Sequence, residues 1–425
     1  MIVSWTSNRT LDKLPRVVAW GIEGTNLSFT ANAFSRTYVQ QDFAKCLGYN
    51  SIIPRTTVWP KRSMHVLSCD HWECDSDITA GVLFYDPGWL HNATLGPLLP
   101  STRYTYRVGE SGDGGVMSDT FTFVSPPAVG SREDLSILYT ADVGIGPRTP
   151  QENGSAVHNG HELDYGAQNL QTASNDSAPF SLMLLNGDLS YADGWLWMWE
   201  RFMDSISPLA SRMPLAITMG NHEIDFINNT EGAPYANTRQ SRGECGITSY
   251  RRFHIPPYYS FDHGSVHFVM LNSETNLTAQ KEWMKSDIVN NVNRTQTPWV
   301  IVLSHRPVYG SYSDPGEDAG YRNFSTQLLG EVFSQLKVDV VFMGHKHFYE
   351  RMHPIGNVTY IIDGSGGRMD FEASHSFASN DTAYKEFGTV GYTRVRVSEG
   401  ATKLTIERVH MVSKKVKDSV VLTKK

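Results

Sequence analysis

The chain has 425 residues, 40% of them apolar and 11% aromatic, with 35 Gly, 20 Pro, 15 His, 4 Cys and a net charge of −7. That length exceeds what one core usually supports, so two domains are expected, and the apolar content excludes a disordered polymer. The negative balance, with no basic run, argues against a nucleic-acid partner, and no apolar stretch is long enough to cross a bilayer.

The opening MIVSWTS reads as a β-strand with no signal peptide before it, so a truncated or processed start is expected. Residues 1–125 continue in short β-like runs at 17–20, 81–85, 104–108 and 120–124, separated by turn residues, the pattern of an all-β sandwich. Residues 126–134, polar and rich in Pro and Gly, read as a linker. From 135 to 425 the pattern changes. Apolar runs at 135–139, 181–185, 215–219, 266–271, 300–303, 338–343 and 358–362 alternate with helical stretches, the signature of an α/β sheet. Trp195, Trp199 and Met203 recur every fourth residue and predict a helix whose aromatic stripe packs in the core.

Eleven of the 22 asparagines stand in N-x-S/T sequons: Asn8, Asn26, Asn92, Asn153, Asn175, Asn228, Asn276, Asn293, Asn323, Asn357 and Asn380. Chance would place about four. The excess predicts a glycoprotein of the secretory pathway, secreted or lumenal (extracellular, vacuolar or lysosome-like). Cys46, Cys69, Cys74 and Cys245 fit an oxidising compartment. Cys69 and Cys74 are close enough in sequence to close a small loop, the other pairings stay open, and no C-x-x-C is present to build a thiolate zinc site.

The ends of the apolar runs carry the chemistry. In order they are Ala141-Asp142-Val143-Gly144, Gly187-Asp188-Leu-Ser-Tyr191, Gly220-Asn221-His222-Glu223, Val302-Leu-Ser-His305 and Gly344-His345-Lys-His347. Carboxylate, phenol, amide and imidazole are metal-ligand types, and the carboxyl ends of strands are where α/β sheets build their sites. Glycines beside them let the backbone turn sharply. Each motif alone is common; five in order after apolar runs are not.

The ordered set D-x-G, G-D-x-x-Y, G-N-H-[DE], V-x-x-H, G-H-x-H resembles the purple acid phosphatases of the metallophosphoesterase superfamily. Arg242-Gly-Glu-Cys-Gly246, Thr297-Pro-Trp-Val300 and His305-Arg-Pro-Val-Tyr309 resemble the larger plant-type members. The resemblance implies a fibronectin-like all-β sandwich over 1–125 and an α/β/β/α catalytic sandwich over 135–425. It implies an Fe(III) on Asp142, Asp188, Tyr191 and His347, and a divalent ion (Zn, Mn or Fe) on Asp188, Asn221, His305 and His345, with Asp188 bridging. A hard phenolate suits Fe(III). Two such cations, less two carboxylates, the phenolate and a hydroxide, leave roughly +1, which favours a phosphate monoester dianion. The implied activity is that of an acid phosphatase using metal-bound hydroxide on small phosphate esters. The alternatives are a nucleotide pyrophosphatase or phosphodiesterase on the same centre, and a non-catalytic glycoprotein that binds a partner. A homodimer is compatible with either.

His222 is the candidate for stabilising the transition state and protonating the leaving oxygen. Asn221, His222 and Arg306 are the candidate substrate contacts, with Tyr309 beside them, and Arg306 also reads as a salt-bridge partner. The sequence departs from the plant pattern beyond His305, where adjacent histidines are expected and residues 309–318 read YGSYSDPGED. His158 and His161 are candidate replacements but read as exposed loop residues. The remaining histidines (His65, His71, His91, His254, His263, His267, His353, His375 and His410) read as structural. Lys346 is expected to point to solvent, and the glycines of 364–367 to form a tight turn.

Overall fold

The computed structural model describes residues 1–7, 14–46, 84–144, 157–158, 161–162, 165–177, 179–224, 240–312, 317–369 and 380–424, with side chains throughout except at 44–46, 157–158, 161–162 and 317–319. Alternation builds the N-terminal part. Val18 and Trp20 on Arg16–Ile22, Tyr104 and Tyr106 on Arg103–Glu110, and Phe123 on Phe121–Val124 all turn inward. They meet Val3, Ala93 and Leu95 in one core. That core lies between a three-stranded sheet, ordered Ile2–Ser7, Trp89–Thr94, Phe34–Arg36, and a four-stranded sheet, ordered Phe29–Asn32, Arg16–Ile22, Arg103–Glu110, Phe121–Val124. Burying a side chain such as Val18 or Phe123 contributes roughly 1.5–3 kcal/mol.

Two details differ from expectation. Phe84 and Tyr85 belong to no strand, and 81–83 lie outside the described residues. Phe84 packs edge-on against Tyr38 at 6.3 Å instead. The strand in this part is Trp89–Thr94, whose buried positions include polar His91 and Asn92. His91 is held by Ser7 Oγ and Ser35 Oγ, each at 2.7 Å, and Asn92 accepts from Ser4 Oγ at 2.7 Å.

The segment after Phe34–Arg36 leaves the sandwich for the other half of the molecule. Tyr38 and Phe43 join a core cluster with Trp199 and Phe202, Arg252 donates to the Tyr38 hydroxyl at 2.9 Å, and Arg36 donates to Tyr250 O and Arg251 O. No strand forms over 126–134, where Gly130 N donates to Gly264 O at 2.9 Å.

The larger half stacks two mixed sheets. One is ordered Leu215–Thr218, Leu182–Asn186, Leu135–Thr140, Gly391–Ser398, Lys403–His410, Val416–Thr423, its first three strands parallel. The other is ordered Tyr259–His263, Val266–Met270, Trp299–Ser304, Val340–Met343, Thr359–Asp363, Tyr349–Met352, Thr382–Glu386, with four consecutive parallel strands from Val266–Met270 to Thr359–Asp363. Strands buried on both faces read as continuous apolar runs. Ile137, Leu184, Phe268, Ile301, Phe342 and Ile361 face the middle layer. The helix Met198–Ala210 covers one sheet with Trp199, Phe202 and Ile206, and Leu277–Asn291 covers the other with Met284 and Ile288. The architecture is α/β/β/α. Trp199 is fully buried, while Trp195, in the turn before that helix, and Met203 are partly buried.

Cys245 is disulfide-bonded, while Cys69, Cys74 and the Cys46 side chain lie outside the described residues. Among the sequons, Asn26, Asn175, Asn293, Asn323, Asn357 and Asn380 are exposed, and Asn276 caps its helix by accepting from Ala279 N at 3.1 Å. Asn8, Asn153 and Asn228 lie outside the described residues. Asn92 is withdrawn from the candidate glycan sites, because it is buried in mid-strand with its amide oxygen engaged by Ser4 and no room for a sugar.

Candidate metal centre

Parallel register aligns the carboxyl ends of Leu135–Thr140, Leu182–Asn186 and Leu215–Thr218, and across the core those of Trp299–Ser304 and Val340–Met343. From these ends come Asp142, Asp188 with Tyr191, Asn221, His305, and His345 with His347. The chain turns abruptly as it leaves the strands. Asp142, Asp188, Tyr191 and His345 have φ of 54°, 47°, 50° and 70°, a left-handed region that costs a side-chain-bearing residue of order 1–3 kcal/mol. Close approach also demands glycine. A Cβ on Gly220 would stand 2.2 Å from Asp188 Oδ1, and one on Gly344 2.6 Å from Asp142 Oδ2.

All seven side chains converge. The Tyr191 hydroxyl lies 2.9 Å from Asp142 Oδ1, 2.9 Å from His347 Nε2 and 3.2 Å from Asp188 Oδ2. On the other side, Asn221 Oδ1 faces His345 Nδ1 at 2.8 Å and His305 Nε2 at 3.2 Å. His305 Nε2 lies 3.1 Å from Asp188 Oδ2. Asp188 is therefore common to two groups of donors. Asp188, His305 and His345 present ligand atoms within 4.8 Å of one another, a spacing that suits a metal ion.

Hydrogen bonds behind the rim set the orientation of these groups. His305 donates from Nδ1 to Asn186 O at 2.8 Å, which leaves Nε2 for the site. The Asn221 amide nitrogen donates to Gln240 Oε1 at 2.6 Å, which turns its oxygen toward the histidines. Buried Glu223 accepts from Asp188 N, Leu189 N and Gly220 N at 2.9, 2.8 and 2.9 Å, tying two of the turns together. Arg306, a candidate substrate contact that also reads as a salt-bridge partner, is 1% exposed, and its Nε donates to both oxygens of Glu274 at 2.9 and 3.1 Å. Its Nη1 stands 3.4 Å from His345 Nε2, so the structure places it behind that histidine.

His222 Nδ1 lies 2.7 Å from Asp193 Oδ1, and its Nε2 is 3.9 Å from Asp188 Oδ2. Its ring rests on Tyr191, centroid to centroid 4.2 Å. Burial works against its charge, but Asp193 and Asp188 outweigh burial and push it up to about 9. His305 is pushed up to about 10, burial again opposing and Asp188 and Asp142 prevailing. Burial opposes ionisation of Asp188, yet His305 and His222 hold its carboxyl well below the usual range. Burial, Asp142 and Asp188 push the Tyr191 phenol well up, with Arg368 acting in the other direction. These surroundings favour positive charge at the centre. The donors are hard oxygen and imidazole nitrogen with no sulfur among them, and such a set fits hard or borderline cations.

The backbones of His158 and His161 pair in a short hairpin, and their side chains lie outside the described ones. Lys346 is half-buried rather than free in solvent, its Nζ 5.0 Å from the centroid of the Tyr312 ring. Asp193, Gln240, Glu274 and Arg368 escaped the sequence reading. Only Asp193 had a local signal, two residues beyond Tyr191 in the same turn; the others arrive from distant segments.

Hard donors gathered at aligned strand ends between two sheets define a metallophosphoesterase. The chain belongs to the purple acid phosphatases of that superfamily, whose members use a binuclear metal centre. The model of the calcineurin-like phosphoesterases matches residues 135–349, and that of the purple acid phosphatase N-terminal domain matches residues 1–125. Among relatives, the Arabidopsis thaliana protein named probable inactive purple acid phosphatase 9 is 33% identical over 315 residues, 67% of this chain and 46% of its own length. Purple acid phosphatase 22 of the same plant is 32% identical over 330 residues, 75% of this chain and 68% of its own length. The chain thus spans about half the length of several curated relatives it matches. A purple acid phosphatase isolated from yellow lupin (Lupinus luteus) seeds has the same fold, with a TM-score of 0.80 over 99% of this chain and 72% of the lupin chain at 22% identity.

Proposed function

We propose that this chain is an acid phosphatase that hydrolyses small phosphate monoesters on an Fe(III)–M(II) pair, M being Zn, Mn or Fe. The observation that carries the reading is the place of Asp188, whose carboxylate stands between two complete donor groups. Asp142, Tyr191 and His347 with Asp188 would hold the ferric ion; Asn221, His305 and His345 with Asp188 would hold the divalent one. When bound, such a pair supplies Lewis acidity toward phosphoryl oxygen and water.

The chain's own residues do the rest. Asp193 holds Nδ1 of His222, which turns Nε2 toward the centre, where it would carry the proton for the leaving oxygen. Glu223 keeps the turns bearing Asp188 and Asn221 at a fixed separation, and Arg306 with Glu274 backs His345. Six exposed sequons and a disulfide-bonded Cys245 support a secreted or lumenal, glycosylated protein.

Asp188→Asn tests the reading. Hydrolysis of p-nitrophenyl phosphate should fall by at least about a thousandfold, on the scale of losing a metal-dependent step. Normal activity in that variant would remove Asp188 from the centre. A faster rate on the bis-ester than on the monoester would instead favour a phosphodiesterase.

A further inference from the structure

The glycine-rich turn after Thr359–Asp363 lies folded against the Asp142 turn. Gly366 N donates to Ala141 O and Gly367 N to Asp142 O, both at 3.0 Å. A Cβ on Gly367 would sit 1.7 Å from Val143 O, so only glycine allows the two turns to touch. The next residue, Arg368, donates its own N–H to Asp142 O at 3.2 Å. Its guanidinium then lies over the Tyr191 ring, Cζ 4.2 Å from the centroid. Gly144 leaves the space it needs, since a Cβ there would meet Arg368 Nε at 2.7 Å. His222 packs on the same phenol at 4.2 Å.

We propose that Arg368 is a positioning residue for Tyr191, its guanidinium over the ring fixing the phenol and drawing electron density from the phenolate it would offer to the ferric ion. The proposal rests on the assignment of Tyr191 as an iron ligand made above. A planar cation is attracted to the electron-rich face of an aromatic ring, and arginine stacks there better than lysine because its charge is spread over a plane. A phenolate bound to ferric iron would absorb visible light by charge transfer to the metal, and one whose electrons are held more tightly would do so at higher energy. Arg368 therefore shifts the visible charge-transfer band toward shorter wavelength, and its stacking keeps the ring from turning out of the left-handed turn that presents it.

The test compares wild type, Arg368→Leu and Arg368→Lys as iron-loaded proteins, read by the visible absorption maximum and by the rate at which iron is lost to a chelator. Arg368→Leu should move the band to longer wavelength and release iron roughly tenfold faster, the scale of a half-buried cation–aromatic contact. Arg368→Lys, which restores charge without the plane, should recover part of the band position. Arg368→Gln stands in as the uncharged variant if Arg368→Leu does not fold. A wild-type band that both uncharged variants leave in place, with unchanged iron release, overturns the role of Arg368 alone. An iron-loaded wild type without any visible band removes Tyr191 as a ligand, and with it both this proposal and the ferric assignment.

Discussion

The two donor groups that share Asp188 are built differently. The Asn221, His305 and His345 side is supported from within: Asn186 holds His305, Gln240 holds Asn221, and the buried Arg306–Glu274 pair backs His345. On the Asp142, Tyr191 and His347 side, two of the three residues have left-handed backbone against one of three, His345, on the other, the His347 side chain is 26% exposed, and the Arg368 guanidinium lies over the phenol. One side takes its geometry from hydrogen bonds and a salt bridge deep in the fold. The other depends more on left-handed turns and on the half-buried Arg368 guanidinium over the phenol. Damage to the first should therefore be felt in folding, and damage to the second in metal chemistry.

Glu274→Ala should show the largest effect. It leaves the Arg306 guanidinium buried without its carboxylate, which costs about 3–5 kcal/mol. Urea unfolding should report that loss, and a stability change under about 1 kcal/mol would mean that Arg306 finds water or another partner. Tyr191→Phe should fold normally but lose the visible band and one of two metals, which metal analysis would reveal; loss of both ions would contradict independent support of the two sides. Asp193→Asn should have the smallest effect, a fall in kcat of roughly 10- to 100-fold with metal content unchanged. Burial lowers the His222 proton affinity and Asp193 does most to restore it, so without Asp193 the imidazole gives up its proton at lower pH. The alkaline limb of the pH–kcat profile should then move toward acid. A profile that kept its shape would reduce Asp193 to a bystander.

Much of the catalytic fold was legible because strands buried on both faces leave continuous apolar runs. Each of the seven runs singled out from 135 onward overlaps a strand, from Leu135–Thr140 to Thr359–Asp363. The donors were legible for a related reason: parallel strands end together, so ligand-type residues just past the runs meet in space. The strand Trp89–Thr94 was missed because His91 and Asn92 fill inward positions usually taken by apolar side chains, and serines on neighbouring strands satisfy them. Arg306 reads from sequence both as a phosphate contact and as a salt-bridge partner; the structure shows the salt bridge, but its partner Glu274, 32 residues earlier, could not be named from the sequence. Lys346 sits between two candidate ligands in sequence, yet the Tyr312 ring draws its ammonium inward. Nothing local in Gly-Gly-Arg368 points to Tyr191. The contact exists only because two glycines let one turn lie on another.

Metal quantification with a visible spectrum on the purified, metal-loaded chain is the most direct test of a centre bridged by Asp188. Two ions per chain, one of them iron with a visible band, are expected in the wild type, falling to one or none in Asp188→Asn. A wild type that takes up no metal, or an Asp188→Asn protein that keeps both ions and its colour, would contradict the bridged pair.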